Sequence, residues 1–300
     1  MSLLDQLAIS ALPLVPRPLM RRLSSRYIAG ETLEDALSCL RALRARGHPG
    51  ILDMLGEDVA DEEGARAVSR AYVEAAQVSA AAGLDAHVSV KPTHVGLRIS
   101  EELCHAFYDE LARTCAELGS FLRVEMEDHT AVDGTLRVFE ALRKDHDNVG
   151  MVLQARLLRT PDDIAALAPG PLSVRVVKGI YLEPASIAHV DPEPIRQAYV
   201  ELCRQLFGRG ARISFATHDE LLAGRLLALC DELALERDRF EFQVLLGVRE
   251  PLWKAWQEAG HTVRVYVPYG PEWRAYSTRR LRKNPQILRH VLRDLLTPGR

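Results

Sequence analysis

Eight short apolar runs, each separated from the next by an amphipathic stretch of helical period, leave this chain few architectures to choose from. The runs are ILDML (51–55), HVSVK (87–91), FLRVEM (121–126), MVLQA (151–155), LSVRVV (172–177), RISFAT (212–217), FEFQVL (240–245) and TVRVYV (262–267). Between them lie stretches such as DEEGARAVSRAYVEAAQVSAAAG and PEPIRQAYVELCRQLFGRG, with apolar residues at every third or fourth position and a glycine past the end. Eight such strand–helix units in 300 residues fit a closed (β/α)8 barrel better than an open doubly wound sheet, which usually has fewer strands. A hydrophobic content of 47% is enough for one core of that size, and no linker or low-complexity segment interrupts the pattern. The expected fold is therefore α/β, a (β/α)8 TIM-like barrel over residues 49–300. Residues 1–48 are expected to form a helical arm, with ETLEDALSCLRALRARG its clearest helix.

The charge balance narrows the choice of partner. Lys and Arg number 38 against 41 acids, a formal −3, so no basic excess points to nucleic acid. The five cysteines, Cys39, Cys104, Cys115, Cys203 and Cys230, fall in helical stretches without the close pairing of a metal or redox motif. The N-terminal MSLLDQLAISALPLVPRPLMRRL has Asp5 and Gln6 before its apolar stretch and prolines and arginines after it, so it falls short of membrane length. A cytoplasmic protein acting on a small molecule is expected.

In a barrel the functional groups gather at the C-terminal ends of the strands. Those ends supply Lys91 and His94, then Glu125, Glu127, Asp128 and His129, then Gln154 and Arg156. The later strands add Arg175, Lys178 and Tyr181, then Thr217, His218 and Asp219, then Glu241 and Gln243, and finally Tyr266. Each alone reads as a solvated loop charge or a satisfied core group, and Glu241, between phenylalanines, reads as paired inside the barrel. Polar groups delivered to one rim by seven of eight strands read as a site. After the last strand, Tyr276, Arg279, Arg280 and Lys283 stand at i, i+3, i+4 and i+7 and share a helix face. Adjacent guanidinium forks beside an aromatic ring suit a small carboxylate. A solvated basic face is the plainer reading. His94, Glu125, Asp128, His129 and His218 would suit a metal-dependent hydrolase or isomerase on the same barrel, although the paired arginines suit anion binding better.

In order along nearly the whole chain, VSVKPTHVGL, LRVEMEDHT, VLQARLLRTPDDI, VRVVKGIYLEPA, ATHDE, FEFQVLLGVR and VYVPYGPEWRAYSTRRL resemble the proline dehydrogenase family. That resemblance implies oxidation of L-proline to Δ1-pyrroline-5-carboxylate by hydride transfer to FAD, with electrons then passed to a quinone and any membrane contact peripheral. It implies catalytic roles for Glu125 and Tyr181, and substrate binding by Lys91, Tyr266, Tyr276, Arg279, Arg280 and Lys283, with the two arginines on the carboxylate. It places FAD against Met126, Gln154, Arg175, Val177, Lys178, Gly179, Thr217, His218 and Glu241. No metal is implied. The chain contains no G-x-G-x-x-G after a strand, so the barrel itself would have to hold the flavin.

Two positions depart from the family pattern. Glu125 stands where relatives reading LDMED have aspartate, and Lys283 where they have glutamate. The longer carboxylate is expected to offset Lys283 and preserve proline as substrate. The other readings are a flavin-dependent dehydrogenase of another cyclic or N-substituted amino acid, and a flavin-binding homologue that is catalytically weak.

Overall fold

The computed structural model describes residues 20–21, 24–274 and 276–278. The eight expected strands form a closed barrel, parallel throughout and paired in chain order: β1 (Gly50–Met54), β2 (Ala86–Val90), β3 (Leu122–Val124), β4 (Val149–Gln154), β5 (Ser173–Val177), β6 (Arg212–Ala216), β7 (Phe240–Leu245) and β8 (Val263–Tyr269). Most ends fall within one or two residues of expectation. β3 is shorter, because its ladder with β4 stops at Val124, and β8 runs on to Tyr269, which is registered with Met54 across the closing seam.

Seven helices follow β1 to β7: α2 (Glu62–Ala81), α3 (Glu101–Glu117), α4 (Val132–Leu142), α5 (Thr160–Ala166), α6 (Pro192–Gly208), α7 (Glu220–Glu232) and α8 (Glu250–Glu258). Asp61, Ser100 and Asp219 start α2, α3 and α7 by accepting a hydrogen bond from the backbone N–H three residues on. Among the described residues, α1 (Leu33–Ala45) precedes the barrel, begun by a reciprocal Thr32–Asp35 capping box. It packs on β1 and β8 and buries Leu37 and Leu40 there. Leu40 fits because β1 opens with Gly50, where a Cβ would lie 2.1 Å from Leu40 Cδ2. The segment before α1 is tied to the end of β8, with Ala29 N–H donating to Pro268 O (2.9 Å) and Gly270 N–H to Gly30 O (3.0 Å). Where it passes the loop after β7, Gly247 has φ +69° and leaves no room for a Cβ against Arg26 O.

The two faces of the barrel wall differ sharply in chemistry. Toward the helices point Leu52, Val88, Val124, Met151, Val176, Phe215, Val244 and Val265, all buried and apolar. The residues between them turn inward, among them Asp53, Ser89, Arg123, Arg175, Ser214, Glu241, Gln243 and Arg264. Barrel interiors are ordinarily filled by layers of branched aliphatics. Here the filling is ionic, and burying charge is costly unless each group is paired or hydrogen-bonded. In the lower layer Arg264 bonds Glu241 (3.3 Å) and Asp85 (2.8 Å), and Glu241 also accepts from Gln243 Nε2 (2.6 Å) and Ser214 Oγ (3.3 Å). Arg123 donates to the carbonyls of Ser173 (2.9 Å) and Met151 (3.1 Å) and lies 4.9 Å from the Phe121 ring; burial pulls its pKa down to about 9. Gly150 clears its path, since a Cβ there would come within 2.4 Å of Arg123 Nη1.

Candidate active site

Above that layer, at the C-terminal mouth, Glu125 is a hub. Its carboxylate accepts from Ser89 Oγ (2.5 Å) and Tyr266 Oη (3.1 Å) and is paired with Arg175 Nη1. Arg175 also donates through Nε to Gln243 Oε1 (2.5 Å) and lies 5.3 Å from the Tyr266 ring centre. Three strands (β2, β5 and β8) thus converge on one carboxylate in the turn after β3, and β7 supports it through Gln243 on Arg175. Burial opposes ionisation of Glu125, but Arg175 and the Ser89 hydroxyl outweigh it and hold the pKa below the ordinary value. The Tyr266 phenol is pushed far upward by burial and by Asp53 and Glu125, so it stays a donor.

Next to this hub, Lys91 Nζ sits 3.1 Å from Asp53 Oδ1. The counterion of Lys91 is Asp53, while Glu125 is paired with Arg175; Lys283, whose charge Glu125 is expected to offset, lies outside the described residues. Burial works against the ammonium, yet Asp53 and Glu125 together raise its pKa. Burial pushes Asp53 up, and Lys91 pulls against it. Glu127 is also buried and raised, and accepts from Thr93 N–H (2.9 Å) and Oγ1 (2.7 Å), fastening the turn after β2 to the turn after β3.

On the β4 to β6 side, Gln154 Nε2 donates to Glu127 O (2.7 Å), with Met126 buried one residue from Glu125. β5 ends in Val177, followed by Lys178 and Gly179. Gly179 has φ +95°, and a Cβ on it would stand 3.0 Å from Gln154 Oε1. Lys178 Nζ bonds Asp219 (2.5 Å), as does Arg196 (2.7 Å), and these two cations hold the Asp219 pKa well down against its burial. Thr217 Oγ1 accepts from Asp219 N–H (3.1 Å), and His218 Nε2 accepts from Leu245 N–H (3.0 Å), which puts the proton of a neutral ring on Nδ1. Burial raises the Tyr181 phenol, and the field of Glu127, Glu57 and Glu125 adds to it. Tyr276, in the helical turn 276–278, lies within electrostatic reach of Tyr266. Arg279, Arg280 and Lys283 lie outside the described residues.

Most of the sequence-predicted residues that are described thus come to one mouth. Glu241 is set apart by depth, one layer down, and reaches the site through Gln243. Sequence reasoning missed Asp53 and Ser89 as site residues; the only signal was an acid and a serine at inward positions of otherwise apolar runs. The histidines do not gather. His94 packs edge-on against Tyr72 with its pKa lowered to about 4 by burial, and His129 pairs with Glu183 at 2.5 Å. Among the described residues no three His, Cys, Asp or Glu side chains form a metal-ligand set, all five cysteines are free, and no helix is long and apolar enough to cross a membrane.

A family model described as "Proline dehydrogenase" matches residues 36–291. Among curated proteins, the chain is 35% identical to proline dehydrogenase of Deinococcus radiodurans, an alignment covering 93% of this chain and 92% of that one. It is 31% identical to proline dehydrogenase 1 of Bacillus subtilis, covering 90% of each. Among solved structures, proline utilization A from Bdellovibrio bacteriovorus inactivated by N-propargylglycine superposes with a TM-score of 0.81 at 24% identity, over 87% of this chain and 32% of that one. This last likeness is one of fold, and the chain spans about a third of that protein's length.

Proposed function

Since this chain belongs to the proline dehydrogenase family, we propose that it oxidises L-proline to Δ1-pyrroline-5-carboxylate at the mouth built around Glu125, with FAD as cofactor and a quinone as final electron acceptor. The observation that carries this reading is the convergence of Lys91, Glu125, Arg175 and Tyr266 on one barrel mouth. The family is generally flavin-dependent. The residues present suit FAD. Arg175 Nη2 is a buried donor with no partner among the described residues, and Gly179 leaves its backbone bare beside Gln154. Gln154, Arg175, Val177, Lys178, Gly179, Thr217 and His218 would hold it, with Met126 beside them and Glu241 supporting from below. When bound, FAD supplies the hydride acceptor.

The protein's share of the work is binding, orientation and electrostatics. Lys91, Arg279 and Arg280 bind the substrate carboxylate, and Tyr266 and Tyr276 wall the ring. The cations Lys91 and Arg175 favour loss of a proton from the substrate amine, the form that can give up hydride from the adjacent carbon. Glu125 holds Arg175 and Tyr266 in place, and Tyr181 covers the acidic side and excludes water. The barrel domain of residues 49–300 carries this site and follows an N-terminal arm of residues 1–48, and the protein works in the cytoplasm with peripheral access to a membrane quinone.

Anaerobic titration of the FAD-reconstituted protein tests the reading. L-Proline should bleach the flavin absorbance. A protein that takes up no flavin, or whose flavin is bleached only by N-alkyl amino acids, ring-size analogues or diacids from the same panel, refutes it.

A further inference from the structure

Asp53 has no part in the proposed chemistry, yet it is among the most deeply buried charges in the barrel, at 1% exposure. It stands one residue before the end of β1, pointing inward, and its ionic partner among the described residues is Lys91. The pair is asymmetric: the Lys91 side chain is 16% exposed and the Asp53 side chain 2%, so the carboxylate lies beneath and the ammonium faces the opening. Lys91 is restrained at its other end as well, because Pro92 follows it and Lys91 itself is extended (φ −83°, ψ 130°) as cap of the short 3-10 turn Pro92–Val95. A lysine side chain has four rotatable bonds and aims poorly when held only by its backbone.

We propose that Asp53 is a positioning residue, which holds Lys91 charged and aimed into the mouth so that substrate affinity depends on Asp53 without Asp53 touching substrate. The inference rests on the reading that the mouth binds a proline carboxylate. The groups that act on Lys91 are Asp53 from β1, Glu125 and Glu127 from the turn after β3, and His94 from its own turn; Tyr266 from β8 bonds Glu125 and also favours the charged form of Asp53. Burial alone would drive Lys91 toward the neutral amine, and Asp53 is the largest influence opposing it. Removing that carboxylate lowers the Lys91 pKa, so the ammonium present at low pH is lost as pH rises through the lowered value.

The probe is cyclopentanecarboxylate, which has the shape and charge of proline's acid but neither an amine to titrate nor a hydride to give. Its affinity for the FAD-loaded protein is measured by calorimetry across pH for the parent, Asp53→Asn, Lys91→Met and the double variant. For Asp53→Asn a loss of about tenfold or more is expected near pH 9, with a much smaller loss near pH 6.5, as fits a vanishing charge-assisted bond. In proline turnover KM should rise more than kcat falls. In the Lys91→Met background, Asp53→Asn should change affinity little. This comparison survives even if Asp53→Asn alone fails to fold, since the double variant removes both charges. An Asp53→Asn loss that is equal at both pH values, or that persists without Lys91, overturns the proposal. A parent that binds the probe but yields an indifferent Asp53→Asn variant overturns it too, whereas a parent that neither binds the probe nor oxidises proline removes the functional reading beneath it.

Discussion

Replacing Arg175 by methionine removes the cation of the Glu125 hub while roughly keeping side-chain length. The parent guanidinium is almost wholly buried; it pairs with Glu125, bonds Gln243 at 2.5 Å and Ser89 at 3.3 Å, and lies against the Tyr266 ring. Removing one partner of a buried ion pair costs about 3–5 kcal/mol, because the survivor stays desolvated and unpaired. Glu125 would keep two donors, Ser89 at 2.5 Å and Tyr266 at 3.1 Å, so the lower end, ~3 kcal/mol, is expected. The pH dependence follows from the sign of the Glu125 shift. In the parent its pKa is lowered, so its contribution to stability is present above the unfolded carboxylate range and fades as pH falls through the folded value. In the variant, burial is opposed only by the Ser89 hydroxyl and by Lys91, whose nearer partner is Asp53, so the pKa rises and ionisation costs the folded state. The stability gap should therefore be widest near pH 8 and should narrow toward about pH 4–5. Urea unfolding of the flavin-free protein, followed by far-ultraviolet circular dichroism at both ends of that range, measures it. A gap that stays constant, or widens in acid, would refute the ionic hub.

Arg279→Lys and Arg280→Lys should each raise KM for proline about ten- to a hundredfold with flavin still bound, because lysine keeps the charge and loses the fork; a normal KM for either excludes the carboxylate clamp. With Tyr266 at the mouth, 4-hydroxyproline should turn over more slowly than proline, and a faster rate would remove Tyr266 from that role. Gly150→Ala forces a Cβ to within 2.6 Å of Ser173 O as well as onto Arg123, and overpacking of this kind costs about 1–3 kcal/mol. The loss should appear in urea unfolding with the affinity for proline nearly unchanged; a variant as stable as the parent would show that Arg123 moves freely.

The barrel was legible because the helix-facing side of each strand is apolar, and eight such runs alternating with helical stretches admit few closures. Strand ends were less so: whether Glu125 continues a strand depends on pairing with β4, which nothing local records. Lys91, Glu125, Arg175 and Tyr266 could be picked out as polar groups at strand ends. Their partners could not. Glu125 and Arg175 are 50 residues apart and Lys91 and Asp53 are 38 apart, and these pairs are chosen by the curvature of the barrel rather than by spacing along the chain. For the same reason Asp53, inside ILDML, looked like an interruption of a strand and not like the counterion of a site residue, and Arg175 was not foreseen as the partner of Glu125.

The seam between β1 and β8 is joined by pieces from opposite ends of the described chain. α1 leans on both strands, Ala29 and Gly30 bond the tail of β8, and Arg26 rests against Gly247. During synthesis this N-terminal stretch leaves the ribosome early, yet its partners follow only after nearly the whole barrel has been made. Its apolar residues Leu37, Leu40 and Leu43 must therefore wait without their final cover. Contacts of such long sequence separation carry a large loop-closure entropy and form late. Ring closure is thus a late folding event in which the first helix and the last strand lock each other, and a chain stalled before β8 would expose the edges of β1 and β7 together, the species most prone to pair with its neighbours.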